Sequence, residues 1–247
     1  MGRTPWLDQK TLIIGDMVHC IVQGILVPLL INFLTSSHLK SDKLSFRLYV
    51  IFINGLVLGQ TIINLYDTLD SFGSESPVSR PAILVLNPVL NVTIGASAQL
   101  FFIFRCWRIY NQRVVFVLPL LALWLTALIP GLLLGYYLVE SVKRSTLQPA
   151  SIALAVWIFS SLTLELCVTA TTVIYLFRTR TDLVEHSGVF KTIWQVTWVS
   201  AAPPPILMIA VAINGYIAHN IAHPTTAVAV DMTGKIYTLS LMITTVG

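Results

Sequence analysis

Some side chains in this sequence could do chemistry because they are polar or ionisable yet lie inside long apolar stretches. The nine residues of this kind are Asp16, His19, Asn64, Asp67, Asn87, Asn91, Glu165, Asp231 and Lys235. Such groups are costly within a membrane, and where they occur they commonly mark a functional site. We therefore predict that they line one polar cavity inside the membrane. The alternative is a set of unrelated hydrogen bonds between helices.

Asp231 and Lys235 are four residues apart, so on a helix they share one face and can pair. The same spacing resembles the Asp and Lys of microbial rhodopsins, where the Lys binds retinal. However, the predicted third helix, at residues 82–104, contains no carboxylate that could serve as a counter-ion. We therefore expect no retinal and no other cofactor.

His219 and His223 are also four residues apart, a spacing at which two histidines on a helix can bind zinc. They lie between two predicted helices, where histidines are usually solvated, and we predict no metal site. The sequence has no Gly-x-Ser-x-Gly, His-Glu-x-x-His or phosphate-binding loop motif. No catalytic residue can therefore be assigned from motifs.

The composition indicates what must hold these residues in place. Hydrophobic residues make up 55% of the 247 residues, charged residues only 11%, and the mean hydropathy is +0.80. A soluble domain carries roughly a quarter charged residues. The surface of this protein must therefore face lipid, and no basic surface favours nucleic acid.

Seven apolar stretches are long enough to cross a bilayer, which needs about 20 residues. They predict helices at 12–34, 48–69, 82–104, 114–139, 150–177, 192–217 and 226–246. We therefore predict an all-α polytopic protein in which residues 1–247 form one seven-helix domain. Three consecutive prolines, Pro203 to Pro205, should break or kink the sixth helix.

The positive charges between the helices predict the orientation. Nine Lys and Arg residues follow the first, third and fifth helices, whereas five lie before the first helix or after the second and fourth. This bias favours an amino terminus outside the cell or organelle and a carboxyl terminus in the cytoplasm.

Three segments resemble a family of fungal, chiefly basidiomycete, seven-helix membrane proteins, the domain-of-unknown-function 6534 type. They are Gln-Leu-Phe-Phe-Ile-Phe-Arg at 99–105, Tyr-Leu-Phe-Arg-Thr-Arg-Thr at 175–181 and Lys-Ile-Tyr-Thr-Leu-Ser-Leu at 235–241. The resemblance implies the fold and the membrane location, but no established activity.

Three functions fit these observations. The first is a receptor-like protein or sensor that binds a small or lipid-like ligand in the polar cavity. The second is a membrane-embedded enzyme that acts on a lipid or terpenoid, with Glu165, Asp16 or Asp67 as acid or base. The third is a small-molecule transporter, although no internal repeat supports it. Membrane lipids and a small hydrophobic ligand are the expected partners; the sequence indicates no cytoplasmic one.

Overall fold

The computed structural model describes residues 5–35, 44–73, 81–110, 113–144, 148–180, 202–217 and 224–246. These residues form seven helices: α1 (Pro5–Thr35), α2 (Leu44–Gly73), α3 (Pro81–Ile109), α4 (Val114–Arg144), α5 (Gln148–Arg180), α6 (Pro203–Ala212) and α7 (Pro224–Val246). A π-helical turn, Ile213–Ile217, extends α6. The predicted all-α fold is confirmed, since the described part of the chain contains no strand.

In the part of the chain that the structure describes, five helices are long and apolar enough to cross a membrane. The apolar segments are Ile13–Thr35, Leu44–Leu69, Val85–Ile109, Val117–Glu140 and Gln148–Tyr175. A shorter apolar segment, Pro203–Tyr216, contains α6. The 23-residue helix α7 is long enough to cross a membrane, but Asp231 and Lys235 interrupt its apolar sequence. The chain is therefore a helical, multi-pass integral membrane protein.

The predicted spans agree with the observed helices except for the sixth. Each of the other six predicted ranges lies within one observed helix. Residues 192–201 of the predicted sixth span lie outside the described residues. Helix α6 begins at Pro203, where a missing backbone N–H is tolerated because the first turn has no partner for it.

The helices form a closed bundle in chain order. Each helix contacts the next, and α7 contacts α1 and so closes the ring. Helix α3 also contacts α5 and α7. Residues on the inner faces of α3 and α7 are therefore shielded from lipid by the other helices.

The two ends of the chain show how the bundle separates its inside from its outside. On α1, Ile14 and Ile21 are each 61% exposed, as is favourable where lipid surrounds the helix. On α7, Tyr237, Leu241 and Met242 are fully buried. The last helix therefore forms much of the core, although it carries two charged residues.

Close approach between α1 and α7 depends on a glycine. A Cβ atom at Gly15 would lie only 2.8 Å from Cγ2 of Val228. Small residues of this kind allow membrane helices to pack backbone to backbone. This contact brings the α1 residues that follow Gly15 against the charged part of α7.

Candidate functional site

Lys235 is the centre of the candidate site. Its side chain is completely buried on α7, and its ammonium donates two hydrogen bonds. One goes to the backbone oxygen of His19 on α1 at 3.0 Å, and the other to Oγ1 of Thr61 on α2 at 2.8 Å. A lysine ammonium has three N–H donors. Among the described residues, two of these donors are used, by the bonds to His19 and Thr61.

Asp231 lies one helical turn before Lys235 and connects α7 to α2 and α3. Its Oδ2 accepts a hydrogen bond from Nδ2 of Asn87 at 3.2 Å. Nε2 of Gln60 lies 3.4 Å from the Asp231 backbone oxygen and 3.4 Å from Oδ1 of Asn87. Because Nε2 faces these two oxygens, the amide oxygen of Gln60 points away from Asn87 and from the Asp231 backbone.

The charges of the site interact without direct pairing. Asp16 on α1 and Asp231 both lie within electrostatic range of Lys235 and of each other. Neither carboxylate accepts either of the two hydrogen bonds that the Lys235 ammonium donates. The predicted pairing of Asp231 with Lys235 is therefore an interaction at a distance, not a hydrogen-bonded ion pair.

We call this group of side chains the Lys235 cluster. Its members are Asp16, His19, Gln60, Thr61, Asn87, Asp231 and Lys235. Four helices contribute to it, namely α1, α2, α3 and α7. It therefore lies where a change in helix packing would alter its hydrogen bonds.

The Lys235 cluster contains most of the unpaired polar atoms in the interior. Five buried side-chain polar atoms of the described residues have no hydrogen-bond partner. Three belong to this cluster: Oδ2 of Asp16, Nδ1 of His19 and Oε1 of Gln60. Since buried polar groups are almost always hydrogen-bonded, this concentration distinguishes the cluster from the rest of the bundle.

Asn91 joins α3 to α7 just beside the Lys235 cluster. Its Nδ2 donates to the backbone oxygen of Val230 at 2.8 Å, and its Oδ1 accepts from the backbone N–H of Gly234 at 2.9 Å. Val230 and Gly234 are four residues apart, so this oxygen and this N–H are helical hydrogen-bonding partners. The Asn91 amide therefore binds both ends of one turn of α7.

Glu165 belongs to a second polar group, which we call the Glu165 cluster and which consists of Gln99, Glu165 and Tyr237. Nε2 of Gln99 lies 3.0 Å from the Tyr237 hydroxyl oxygen. The Glu165 carboxyl group lies close enough to both of these residues to interact with them. All three residues are buried. The cluster connects α3, α5 and α7, and none of its polar atoms is among the unpaired ones.

The nine residues predicted from the sequence occupy different places in the structure. Asp16, His19, Asn87, Asp231 and Lys235 are in the Lys235 cluster, and Asn91 lies beside it. Glu165 is in the second cluster. Asn64 is half-buried on α2, and Asp67 is exposed. The structure thus brings six of the nine together around one stretch of α7.

Gln60 and Thr61 are members of the Lys235 cluster that the nine do not include. Gln60 has a recognisable signal, because its amide lies in an apolar stretch and is completely buried. Thr61 has no such sequence signal, because a threonine hydroxyl in a helix can bond the backbone of its own helix. In this structure the Thr61 hydroxyl donates to the backbone oxygen of Val57 at 2.9 Å. Threonines in membrane helices commonly satisfy themselves in this way.

His219 and His223 lie outside the described residues. Within the described ranges, no group of three or more His, Cys, Asp or Glu side chains is placed to hold a metal ion.

The Lys235 cluster brings together unpaired buried polar atoms, an ammonium group and two carboxyl groups. Groups of these kinds can form hydrogen bonds with a polar ligand. Comparison with protein-family models, curated proteins and solved structures found no match in any of the three. The fold and the site therefore define a class, a polytopic helical membrane protein with a charged interior, and the fungal family resemblance stays a prediction.

Proposed function

We propose that this protein is a receptor-like membrane protein or sensor that binds a small or lipid-like ligand at the Lys235 cluster. The observation that supports this most is the set of three unpaired buried atoms, on Asp16, His19 and Gln60. Leaving such atoms without partners costs roughly 1–3 kcal/mol each. A ligand with a polar end would recover part of that free energy.

The position of the Lys235 cluster suggests how binding is sensed. Its residues come from α1, α2, α3 and α7, and the Lys235 ammonium bonds both α1 and α2. A ligand that prefers one arrangement of these four helices shifts the protein toward that arrangement. With the amino terminus outside, as the loop charges favour, the cluster belongs to the outer half of the membrane and the response reaches the cytoplasmic side.

The membrane-embedded enzyme has less support. Its candidate acids were Glu165, Asp16 and Asp67, and an acid–base pair requires two of them in one cavity. Glu165 contacts Gln99 and Tyr237, Asp16 acts on Lys235 and Asp231, and Asp67 is exposed. These three carboxyl groups are therefore not gathered at one place.

A thermal-shift experiment on the purified protein in lipid nanodiscs tests the proposal. The probes are a panel of long-chain fatty acids, fatty alcohols and terpenoid alcohols. A ligand present at 100 times its Kd should stabilise the fold by about 2.7 kcal/mol. We expect Asp231→Arg, which reverses a charge in the cluster, to abolish the shift.

The matched control is Asp67→Arg, which makes the same charge reversal at an exposed position of α2. This variant should keep the ligand-dependent shift. Equal ligand shifts in the wild type and in Asp231→Arg would show that binding occurs elsewhere and would contradict the proposal. Tryptophan fluorescence titration gives an independent measure of the same binding.

A further inference from the structure

Side chains of two other helices bond the backbone of α7 at one turn. The Asn91 amide donates to the Val230 backbone oxygen at 2.8 Å and accepts from the Gly234 backbone N–H at 2.9 Å. Nε2 of Gln60 lies 3.4 Å from the next backbone oxygen, that of Asp231. The backbone groups of this turn therefore have hydrogen-bond partners outside α7.

These external bonds lower the cost of opening the turn. In an α-helix the Val230 oxygen accepts from the Gly234 N–H. Breaking such a bond inside a membrane normally leaves two backbone groups without partners, which is unfavourable. Here both groups keep a partner on Asn91 when the bond opens. Helix interruptions are tolerated in membranes where neighbouring side chains satisfy the freed groups in this way.

The residue types in the turn weaken it further. Glycine in the interior of a helix is less favourable than alanine, because its backbone loses more freedom. A Cβ atom at Gly234 would lie 2.7 Å from Oδ1 of Asn91 and 3.3 Å from its backbone oxygen, so the contact with α3 requires this glycine. The Thr233 hydroxyl bonds the Ala229 backbone oxygen at 3.2 Å, a pattern that often bends helices.

The turn separates two parts of α7 that are bonded to different helices. Before the turn, Thr226 is buried, and its hydroxyl oxygen lies 3.0 Å from Nδ2 of Asn214 in the π-helical turn that extends α6. After the turn, Lys235 bonds α1 and α2. A change in the angle of α7 at this turn would therefore move the end of α6 relative to α1 and α2.

We propose that residues 230–234 of α7 form a hinge at which the helical hydrogen bond inside the turn opens and closes. In the open form Asn91 holds both backbone groups, and the part of α7 before the turn tilts together with the end of α6. Asp231 lies within the turn and Lys235 directly after it, so opening changes the separation of their charged groups. The hinge goes beyond the ligand binding proposed above and does not rest on it.

Double electron–electron resonance of the full-length protein in nanodiscs measures the expected motion. Spin labels are attached at Ala227→Cys, an exposed position before the turn, and at Tyr136→Cys on α4, where the side chain is 61% exposed. The three native cysteines are replaced by alanine. A kink of about 20–30° would displace position 227 by about 3 Å, at a rise of 1.5 Å per residue. We expect a broad or bimodal distance distribution.

A matched pair of labels reports on α7 beyond the turn. Its positions are Ile243→Cys, which is half-buried on α7, and Leu118→Cys on α4, where the side chain is 66% exposed. Because no hinge lies between position 243 and the core of the bundle, this pair should give one narrow distance. Equal widths for the two pairs would overturn the proposal. This comparison needs no substitution in the turn, so it stays decisive if a variant of the turn does not fold.

Asn91→Leu distinguishes a hinge from a fixed contact. Leucine has a similar size but cannot bond the two backbone groups, so opening becomes costly and the distribution between positions 136 and 227 should narrow to one population. If Asn91 only fastened α7 to α3, its loss would loosen α7. An unchanged or broader distribution in Asn91→Leu would therefore contradict the hinge. Thr93→Val removes a hydroxyl that bonds its own helix at Val89, and it should leave the wild-type distribution unchanged.

Discussion

The two polar clusters of the bundle share helix α7 but differ in how completely their atoms are paired. Lys235 and Tyr237 are two residues apart, so they point to different sides of the helix. On one side, the Lys235 cluster holds three buried polar atoms that have no hydrogen-bond partner among the described residues. On the other side, Gln99 bonds Tyr237 beside Glu165, and no atom of the Glu165 cluster is among the unpaired ones of the described residues. The same helix thus carries an incompletely paired polar cluster and a structural connection.

This difference separates two uses of polar groups inside a membrane protein. A fully paired network fixes the positions of the helices that it joins. An incompletely paired group is less stable by itself and gains stability from whatever completes it. Substitutions in the Glu165 cluster should therefore affect folding alone, whereas substitutions in the Lys235 cluster should also affect binding.

The largest expected effect is in the Glu165 cluster. Tyr237→Ala should lower the free energy of unfolding by about 3–5 kcal/mol, because it removes a fully buried aromatic ring. Tyr237→Phe keeps the ring and loses only the hydroxyl bonds, so it should cost about 1–2 kcal/mol. Equilibrium unfolding in mixed detergent micelles measures both. Leu166→Ala, at a position that is 52% exposed, is the control and should have little effect.

The next largest effect is expected on removal of the Lys235 ammonium group. Lys235→Met should cost about 3 kcal/mol, since it leaves two carboxylates near one another without a cation. Combining it with Asp231→Asn removes one of those carboxylates and should recover about 1 kcal/mol or more. A double-mutant cycle of unfolding free energies measures this coupling. Simple additivity of the two variants would contradict electrostatic coupling between Asp231 and Lys235.

An intermediate effect concerns the contact between α3 and α7. A Cβ atom at Gly234 would lie 2.7 Å from Oδ1 of Asn91, so Gly234→Ala should cost about 1–3 kcal/mol. Asn91→Ala removes the obstructing atom. In the background of that variant, Gly234→Ala should therefore cost less than it does in the wild type. Thermal unfolding of the four proteins tests this, and an equal cost in both backgrounds would exclude the steric explanation.

The smallest effect is expected for a conservative substitution of Glu165. A large effect would contradict the distinction between the Glu165 cluster and the Lys235 cluster. Glu165→Gln keeps a side chain that can hydrogen-bond Tyr237 and Gln99, so it should cost less than about 1 kcal/mol. It should also leave the ligand-dependent thermal shift unchanged. Equilibrium unfolding and the thermal-shift titration with the lipid probes measure the two quantities. A change in the ligand-dependent shift would mean that the two clusters act as one site.

Some parts of the fold were predictable from local sequence. The runs 12–34 and 114–139 need lipid on their surfaces because of their composition and length alone, and helices cover both ranges. Asp231 and Lys235 were recognisable as candidate site residues because charges are rare in such runs. The helical spacing also placed them on one face, although it did not show that Lys235 bonds α1 and α2 instead of Asp231.

The sequence by itself determined that this is a bundle of membrane helices with charged groups inside, because hydrophobicity and segment length are properties of each stretch alone. Only the tertiary structure decided which polar residues meet. Glu165 and Asp16 are equally conspicuous in the sequence, yet packing assigns them to different clusters. The reason is physical: the rotation of each helix about its axis is set by contacts such as Gly15 against Val228, which join residues far apart in the chain.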